Sequence, residues 1–145
     1  EKIIANSKIL DIFAGIGSVS KEFDKFSPKK IVMIESNIKN IKLLKKDFKK
    51  EHHKVIRGDV FNCIPKLDEK FNIIFADPPY EQQKFFNLAE MIIKSDIFEK
   101  NGILIYEHYK NYELPEEFQC LKKVRDKKYG DSRISIYKNE GVISD

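Results

Sequence analysis

The 145-residue sequence contains few cysteines and histidines and no long apolar run. Its two cysteines, Cys63 and Cys120, lie far apart, and neither has a cysteine or histidine at metal-ligand spacing, which argues against a metal site. Unpaired cysteines also fit a reducing cytoplasm. The adjacent His52 and His53 stand in a polar stretch, so we expect them to face solvent and predict no bound metal. No stretch reaches the length of a membrane span, and the start lacks a signal-peptide pattern. We therefore expect a soluble, cytoplasmic protein.

The composition that remains is typical of a folded domain. Hydrophobic residues make up 41% and aromatic residues 12% of the chain, well above the levels of disordered segments. A chain of 145 residues can bury one core and is too short for two comfortable domains, so residues 1–145 are predicted to form a single domain. The net charge of +4 permits an acidic partner such as nucleic acid without identifying one.

Short apolar runs alternate with helical patterns along most of the chain. The strand candidates are 8–14, 30–35, 54–58, 71–76 and 102–108, and the helix candidates are 17–26, 37–50, 60–66 and 82–95. Two further strand-like runs, 121–128 and 133–138, are separated by the turn signal "YGDS". This order predicts an α/β fold: an open, mostly parallel, doubly wound sheet with a C-terminal antiparallel hairpin.

Ligands of such sheets bind outside the carboxyl ends of the strands, where three acidic or glycine-rich segments fall. After the first strand, Gly15 and Gly17 allow a tight turn close to a ligand, although a purely structural turn has the same signature. Glu35 ends the second strand, eighteen residues after Gly17, and is either an acceptor for the ribose hydroxyls of an adenosine or a solvent-facing or capping acid. Asp59 ends the third strand and either accepts from an adenine amino group, with Val60 beside the ring, or caps the next helix.

The fourth strand ends in "ADPPY", where two prolines follow a carboxylate. The amino nitrogen of a nucleobase is a poor nucleophile, because its lone pair is delocalised into the ring. Two fixed acceptors, the Asp77 carboxylate and the Pro78 carbonyl, would hold such an amine in line with an electrophile. Pro79 adds rigidity, and Tyr80 offers an aromatic face for a flipped base. The motif therefore predicts transfer to an exocyclic amine.

The "DPPY" motif resembles that of amino-methyltransferases that use S-adenosyl-L-methionine. Together with "LDIFAGIGSVS", "FADPPY", "LIYEH" and "KKYGDSRISIYK", it makes nearly the whole chain similar to the RsmD family, bacterial methyltransferases that modify guanine N2 of small-subunit ribosomal RNA. The resemblance implies a Rossmann-like methyltransferase fold with S-adenosyl-L-methionine as cofactor. It also implies a monomer that acts on ribosomal RNA, within an assembling small subunit.

The resemblance also assigns residues to roles. Four form the catalytic loop: Asp77, Pro78, Pro79 and Tyr80. The cofactor-binding set is Asp11, Phe13, Ala14, Gly15, Gly17, Glu35, Ser36, Asp59 and Val60, with the glycine turn at the methionine end of the cofactor. Glu107 and His108 either border the base pocket or have no chemical task. The residues expected to touch RNA, unless the hairpin is merely solvated, are Lys127, Lys128, Tyr129 and Arg133.

One feature departs from the family, and other interpretations of the sequence remain open. Family members usually carry a segment before the first strand, which begins here only a few residues into the chain, so we expect that segment to be missing. The alternatives are a DNA adenine-N6 or other RNA amino-methyltransferase, a nicotinamide-dependent oxidoreductase and a non-catalytic RNA-binding module. The last two leave "DPPY" without a task.

Overall fold

A computed structural model describes residues 4–79 and 84–141. Strands and helices alternate in its first part, as the sequence predicts. The strands of the described residues are β1 (Lys8–Ile12), β2 (Lys30–Glu35), β3 (His53–Arg57), β4 (Phe71–Ala76), β5 (Phe98–Tyr109), β6 (Glu117–Phe118), β7 (Leu121–Tyr129) and β8 (Ser132–Asn139). The helices are α1 (Ser18–Asp24), α2 (Ile38–Asp47), α3 (Val60–Cys63, followed by a 3-10 turn over Ile64–Lys66) and α4 (Phe85–Lys94).

The strands form one sheet in the order β3-β2-β1-β4-β5-β8-β7-β6. Strands β1 to β5 run parallel, whereas β8 lies antiparallel to β5 and pairs with β7 in the C-terminal hairpin. The predicted open, mostly parallel, doubly wound sheet with its antiparallel hairpin is confirmed. The strand order reverses between β1 and β4, so the carboxyl ends of these two strands border the crevice where ligands of such sheets bind.

Helices cover both faces of the sheet and bury a separate apolar cluster on each. On one face, α1 and α2 pack against alternate residues of the central strands, including Ile9, Ile31, Met33 and Phe75. On the other face, α3 and α4 cover the intervening residues, including Leu10, Val32, Ile74 and Leu104. Burial on both faces explains why these strands read as continuous apolar runs.

The observed elements differ from the predicted ones mainly at their ends. Strand β1 ends at Ile12 rather than at residue 14, because Phe13 adopts a left-handed backbone with φ of 62°. Strand β5 begins at Phe98, which pairs with Phe71 before a register shift. Strand β6 has only two residues, too few for a periodic pattern to reveal it. The predicted helix over 82–95 is seen as α4, and none of the described helices is long and apolar enough to cross a membrane.

The expectation that His52 and His53 face solvent is wrong. Their Nε2 atoms lie 2.6 and 2.9 Å from the two carboxylate oxygens of Asp24, the last residue of α1. The polar residues that flank this pair in the sequence do not indicate that His52 contacts a residue 28 positions earlier. The three side chains are close enough to share a metal ion. However, Nδ1 of His53 accepts from the Lys50 N–H, so its Nε2 carries a proton toward Asp24 where a metal would bind. The absence of a metal stays a prediction.

Candidate active site

The predicted site residues follow the carboxyl ends of five parallel strands and therefore lie along one edge of the sheet. The glycine turn follows β1, Glu35 ends β2, Asp59 follows β3, Asp77 follows β4, and Glu107 lies near the end of β5. Tyr80 falls outside the described residues, so its predicted stacking role stays a prediction.

The turn after β1 contains three residues with left-handed backbone: Phe13 (φ 62°), Gly15 (φ 61°) and Gly17 (φ 88°). Apart from Gly15 and its two chain neighbours, no atom of the described residues lies within 4 Å of the position that a Cβ at Gly15 would take, so the space beside this residue is open. Gly17 is different, because a Cβ there would lie 2.5 Å from the ring of Phe48. Gly15 thus leaves room for a ligand, whereas Gly17 allows α1 to begin tightly against α2. Just before Gly15, Ala14 donates its N–H to the Ile34 carbonyl of β2.

The Glu35 carboxylate connects this turn to the start of α2. One oxygen accepts the Gly15 N–H at 2.8 Å, and the other accepts the Asn37 N–H at 2.9 Å and the Asn40 side-chain amide at 3.3 Å. A carboxylate has roughly four acceptor positions, so about one remains for a ribose hydroxyl. Ser36 is exposed beside it. The sequence predicted the ribose role of Glu35 but missed its contact with the turn and the contribution of Asn40.

Asp11 is a buried carboxyl group beneath the same turn. It accepts a hydrogen bond of 2.5 Å from the hydroxyl of Ser20, which is also fully buried. Burial raises the pKa of Asp11 to about 7; the Ser20 hydrogen bond opposes this rise, and the charges of Asp77 and Glu35 add to it. Asp11 therefore holds its proton more readily than an ordinary aspartate, and a cationic group beside it would favour its ionised form. Nothing in the sequence singled out Ser20 as its partner.

The third strand contributes Asp59 as the cap of α3. Its side chain accepts the N–H of Phe61 at 3.1 Å, which confirms the capping role foreseen for it. The residue is exposed, and Val60 is buried below it. The predicted adenine contacts of Asp59 and Val60 stay predictions.

The predicted catalytic loop leaves β4 next to a cavity of about 310 Å³. The last residue of β4, Ala76, pairs with Ile12 on one side and Tyr106 on the other, which places the loop at the centre of the sheet edge. Pro78 is buried, while Asp77 and Pro79 are exposed at the rim. Partial burial of the carboxyl group raises the pKa of Asp77, and a hydrogen bond from Glu107 opposes the rise. The cavity is lined by Phe13, Asp77, Pro78, Pro79, Glu107, His108 and Ser132.

His108 lines this cavity as a buried, neutral imidazole. Its Nδ1 lies 3.1 Å from the Tyr109 carbonyl, which can only accept, so Nδ1 carries the proton. Its Nε2 then accepts from the Ser135 hydroxyl at 2.8 Å. Burial lowers the pKa of His108, in agreement with the neutral form. His108 therefore borders the cavity without supplying a charge.

Two buried tyrosines near the cavity differ in their hydrogen bonding. Tyr106 and Tyr137 both pack against the ring of Phe85, with ring centroids at 5.2 and 5.1 Å. The Tyr137 hydroxyl donates to the Pro115 carbonyl at 2.5 Å. The Tyr106 hydroxyl is buried and has no hydrogen-bond partner among the described residues.

Part of the C-terminal hairpin faces the cavity side of the sheet. Lys127 pairs with Ile134, which pairs with Glu107, and directly paired residues of antiparallel strands point to the same face. Tyr129, two residues further along β7, shares this face, and the Lys127 ammonium lies 5.0 Å from its ring centroid. The structure therefore places these two predicted RNA-contact residues on the side of the catalytic loop.

The other two predicted RNA-contact residues lie on the opposite face. Lys128 pairs with Arg133, which pairs with His108 rather than with Glu107. The Arg133 guanidinium already donates to the Asp126 carboxylate at 2.6 Å. Lys128 and Arg133 therefore lie on the His108 face of the sheet, whereas Lys127 and Tyr129 lie on the Glu107 face.

The family described as "Conserved hypothetical protein 95" matches residues 1–138. The chain belongs to this family. It is 31% identical over 139 residues to YlbH of Bacillus subtilis, named as a candidate rRNA methyltransferase, with 91% of this chain and 76% of YlbH covered. It is 30% identical over 143 residues to the protein named "Ribosomal RNA small subunit methyltransferase D" of Buchnera aphidicola subsp. Baizongia pistaciae, covering 94% of this chain and 71% of the relative. The RsmD-family resemblance predicted from the sequence is confirmed.

A solved structure from Escherichia coli, YhhF, titled as a candidate methyltransferase, has the same fold. It superposes with a TM-score of 0.89 at 19% identity and covers 97% of this chain and 81% of its own. At this identity the likeness concerns the fold alone, and it confirms the Rossmann-like methyltransferase architecture of the family. The roles of individual site residues stay predictions.

Proposed function

We propose that this protein transfers the methyl group of S-adenosyl-L-methionine to the exocyclic N2 amino group of a guanine in small-subunit ribosomal RNA. Membership of the family and the names of the relatives support methyl transfer to ribosomal RNA. The observation that carries the proposal is the position of Asp77, Pro78 and Pro79. They leave the central strand at the point where the strand order reverses, beside the glycine turn.

The charges around the crevice favour this cofactor over a dinucleotide. Asp11 and Asp77 lie close enough for their charges to interact, and Glu35 adds a third carboxyl group. S-adenosyl-L-methionine carries a sulfonium and an ammonium group, whose positive charges these carboxyl groups would stabilise. The pyrophosphate of a nicotinamide dinucleotide would be repelled instead. The Gly15 N–H, which a phosphate would need, is already bound to Glu35.

In the proposed reaction, Asp77 and the Pro78 carbonyl accept the two amino N–H groups of the target base. This draws the nitrogen lone pair out of the ring system and toward the methyl carbon. S-adenosyl-L-methionine, held at the glycine turn and Glu35, would supply the methyl group to this nitrogen and would keep the bonding electron pair on its sulfur. The nitrogen then carries a positive charge and an excess proton. That proton passes to the Asp77 carboxylate and from there to water.

The RNA would approach from the face shared by Lys127 and Tyr129. A lysine ammonium can contact a phosphate, and a tyrosine ring can stack on an unpaired base. We infer that the protein acts as a monomer, in the cytoplasm, on an assembling small subunit.

The experiment is single-turnover methyl transfer to immature small subunits by the wild type and Asp77→Ala. Removing a preorganised electrostatic partner typically lowers turnover about 10²–10³-fold, so Asp77→Ala should lose that much rate with little change in cofactor affinity. Asp68→Ala is the matched control, because Asp68 is an exposed acid beyond the other end of β4. Wild-type turnover by Asp77→Ala would overturn the proposal.

Cofactor choice has an independent readout. A ligand at 100 times its dissociation constant stabilises a protein by roughly 2.7 kcal/mol, so S-adenosylhomocysteine should raise the melting temperature and NAD should not. Stabilisation by NAD alone would favour the oxidoreductase alternative.

A further inference from the structure

Two carboxyl groups lie next to each other at the cavity, where the neighbouring strands β4 and β5 lead into it. Strands β4 and β5 run parallel and pair through Ala76 and Tyr106, so the next residues, Asp77 and Glu107, lie side by side. Both line the cavity of about 310 Å³ next to the catalytic loop. The sequence left Glu107 with two alternatives, a place at the base pocket or no chemical task.

The two carboxyl groups, side by side on paired strands and lining one cavity, lie close enough to share a hydrogen bond. Such a bond forms only when one of the two keeps a proton. Burial raises the pKa of Glu107, and both the charge of Asp77 and the hydrogen bond to it raise that pKa further. The same hydrogen bond lowers the pKa of Asp77. Glu107 is therefore the donor, and Asp77 is the ionised acceptor.

Among the described residues, the groups around this pair supply no positive charge to replace the proton. Asp11 and Glu35, on β1 and β2, are further carboxyl groups on the cofactor side. His108, on the same strand as Glu107, is neutral, and the described residues that line the cavity include no lysine or arginine. Lys127 lies two strands away on the same face, beyond Ile134. The Glu107 proton is thus the local means of keeping one negative charge, rather than two, beside the target amine.

We propose that Glu107 is a positioning residue for methyl transfer, whose protonated carboxyl group donates to Asp77 and orients that carboxylate toward the amino group. This inference rests on the proposed function. The Glu107 proton stays on Glu107 throughout, while Asp77 accepts the proton released by the methylated nitrogen. Loss of the Glu107 proton would place a second negative charge against Asp77 and remove the donor that fixes its orientation.

The test compares Glu107→Gln with Glu107→Ala in single-turnover methyl transfer to immature small subunits, measured against pH. Gln keeps a donor N–H that cannot ionise, so Glu107→Gln should retain most of the neutral-pH rate. It should also stay active at alkaline pH, where the wild-type rate falls because Glu107 loses its proton. Glu107→Ala should lose at least tenfold in rate. Binding of S-adenosylhomocysteine, followed by calorimetry, should change less than twofold in both variants and shows that each is folded.

Glu99→Gln is the control, because Glu99 lies on the same strand, near the end remote from the cavity, and its rate profile should match the wild type. Wild-type rates from Glu107→Ala would overturn the inference while leaving the proposed function standing. So would a Glu107→Gln variant as inactive as Asp77→Ala, because it would mean that Glu107 must ionise. A wild-type protein that transfers no methyl group would remove the proposed function and this inference together.

Discussion

Replacing Glu35 by Gln should weaken cofactor binding and destabilise the fold at the same time. Gln has the shape of Glu but offers one acceptor atom and a donor NH₂ group. In the native protein one carboxylate oxygen accepts from Gly15 and the other from Asn37 and Asn40. Whichever way the amide is turned, its NH₂ group must face one of the two backbone N–H donors.

The expected magnitude follows from the hydrogen bonds that the substitution removes. A hydrogen bond to a charged group contributes roughly 1.5–3 kcal/mol, so the free energy of unfolding should fall by about that amount. A comparable loss for the bond to the ribose hydroxyl would weaken S-adenosyl-L-methionine binding roughly ten- to a hundredfold. The effect on stability was not foreseeable from the sequence, in which Glu35 reads only as a ribose acceptor.

Calorimetric titration with S-adenosyl-L-methionine and urea denaturation without ligand separate the two effects. Glu22→Gln is the control, because Glu22 is an exposed acid on α1 that pairs only with Lys25 in the described structure. It should change both quantities little. An unchanged cofactor affinity in a destabilised Glu35→Gln would refute the ribose role and leave only the contact with the turn. No change in either quantity would refute both roles of Glu35.

Three shorter predictions concern other parts of the site. Tyr106→Phe removes a buried hydroxyl without a partner among the described residues and should raise the free energy of unfolding by about 1 kcal/mol, whereas Tyr137→Phe should lower it by a similar amount. Urea denaturation that shows the same loss of stability in both variants would contradict this. Lys127→Glu should weaken RNA binding and reduce the slope of log affinity against log salt concentration by about 0.7 for each phosphate that the protein no longer neutralises, with Lys128→Glu as the control on the opposite face. Equal slopes in the two variants and the wild type would mean that the hairpin does not touch RNA. Calorimetry should show S-adenosyl-L-methionine binding more tightly at pH 8 than at pH 6, because Asp11, with a pKa of about 7, must lose its proton to stabilise the cofactor's positive charge. Asp11→Asn should abolish this difference, and a wild-type affinity that does not change with pH would mean that the cofactor's cation binds elsewhere.

The sequence predicted best what is encoded by neighbouring residues. Strand β4 and its abrupt end at the prolines were predicted to the residue, because an apolar run followed by two prolines has few alternatives. The cap of α3 by Asp59 follows the same logic and is observed, and Asn37 caps α2 in the same way.

Contacts between residues distant in sequence escaped prediction. The Glu35 bond to Gly15 spans 20 residues, and the His52 bond to Asp24 spans 28. The neighbouring residues do not indicate that a glutamate will accept a hydrogen bond from a turn or that a histidine will contact a carboxylate, since a polar residue at the end of a helix or strand is equally compatible with solvent. The same holds for Ser20, because the sequence of α1 does not indicate that its hydroxyl donates to Asp11.

The contact of His52 and His53 with Asp24 affects the opposite edge of the sheet, where the glycine turn lies. Helix α1 has seven residues, which is too short to be stable alone, so its position depends on what holds its two ends. One end starts at Gly17, and the other is fixed by two imidazoles at the beginning of β3. A helix of this length spans only about 10 Å, so Asp24 and the glycine turn are the two ends of one short element. We therefore expect changes around Asp24 that displace α1 to weaken cofactor binding while leaving the residues of the crevice in place.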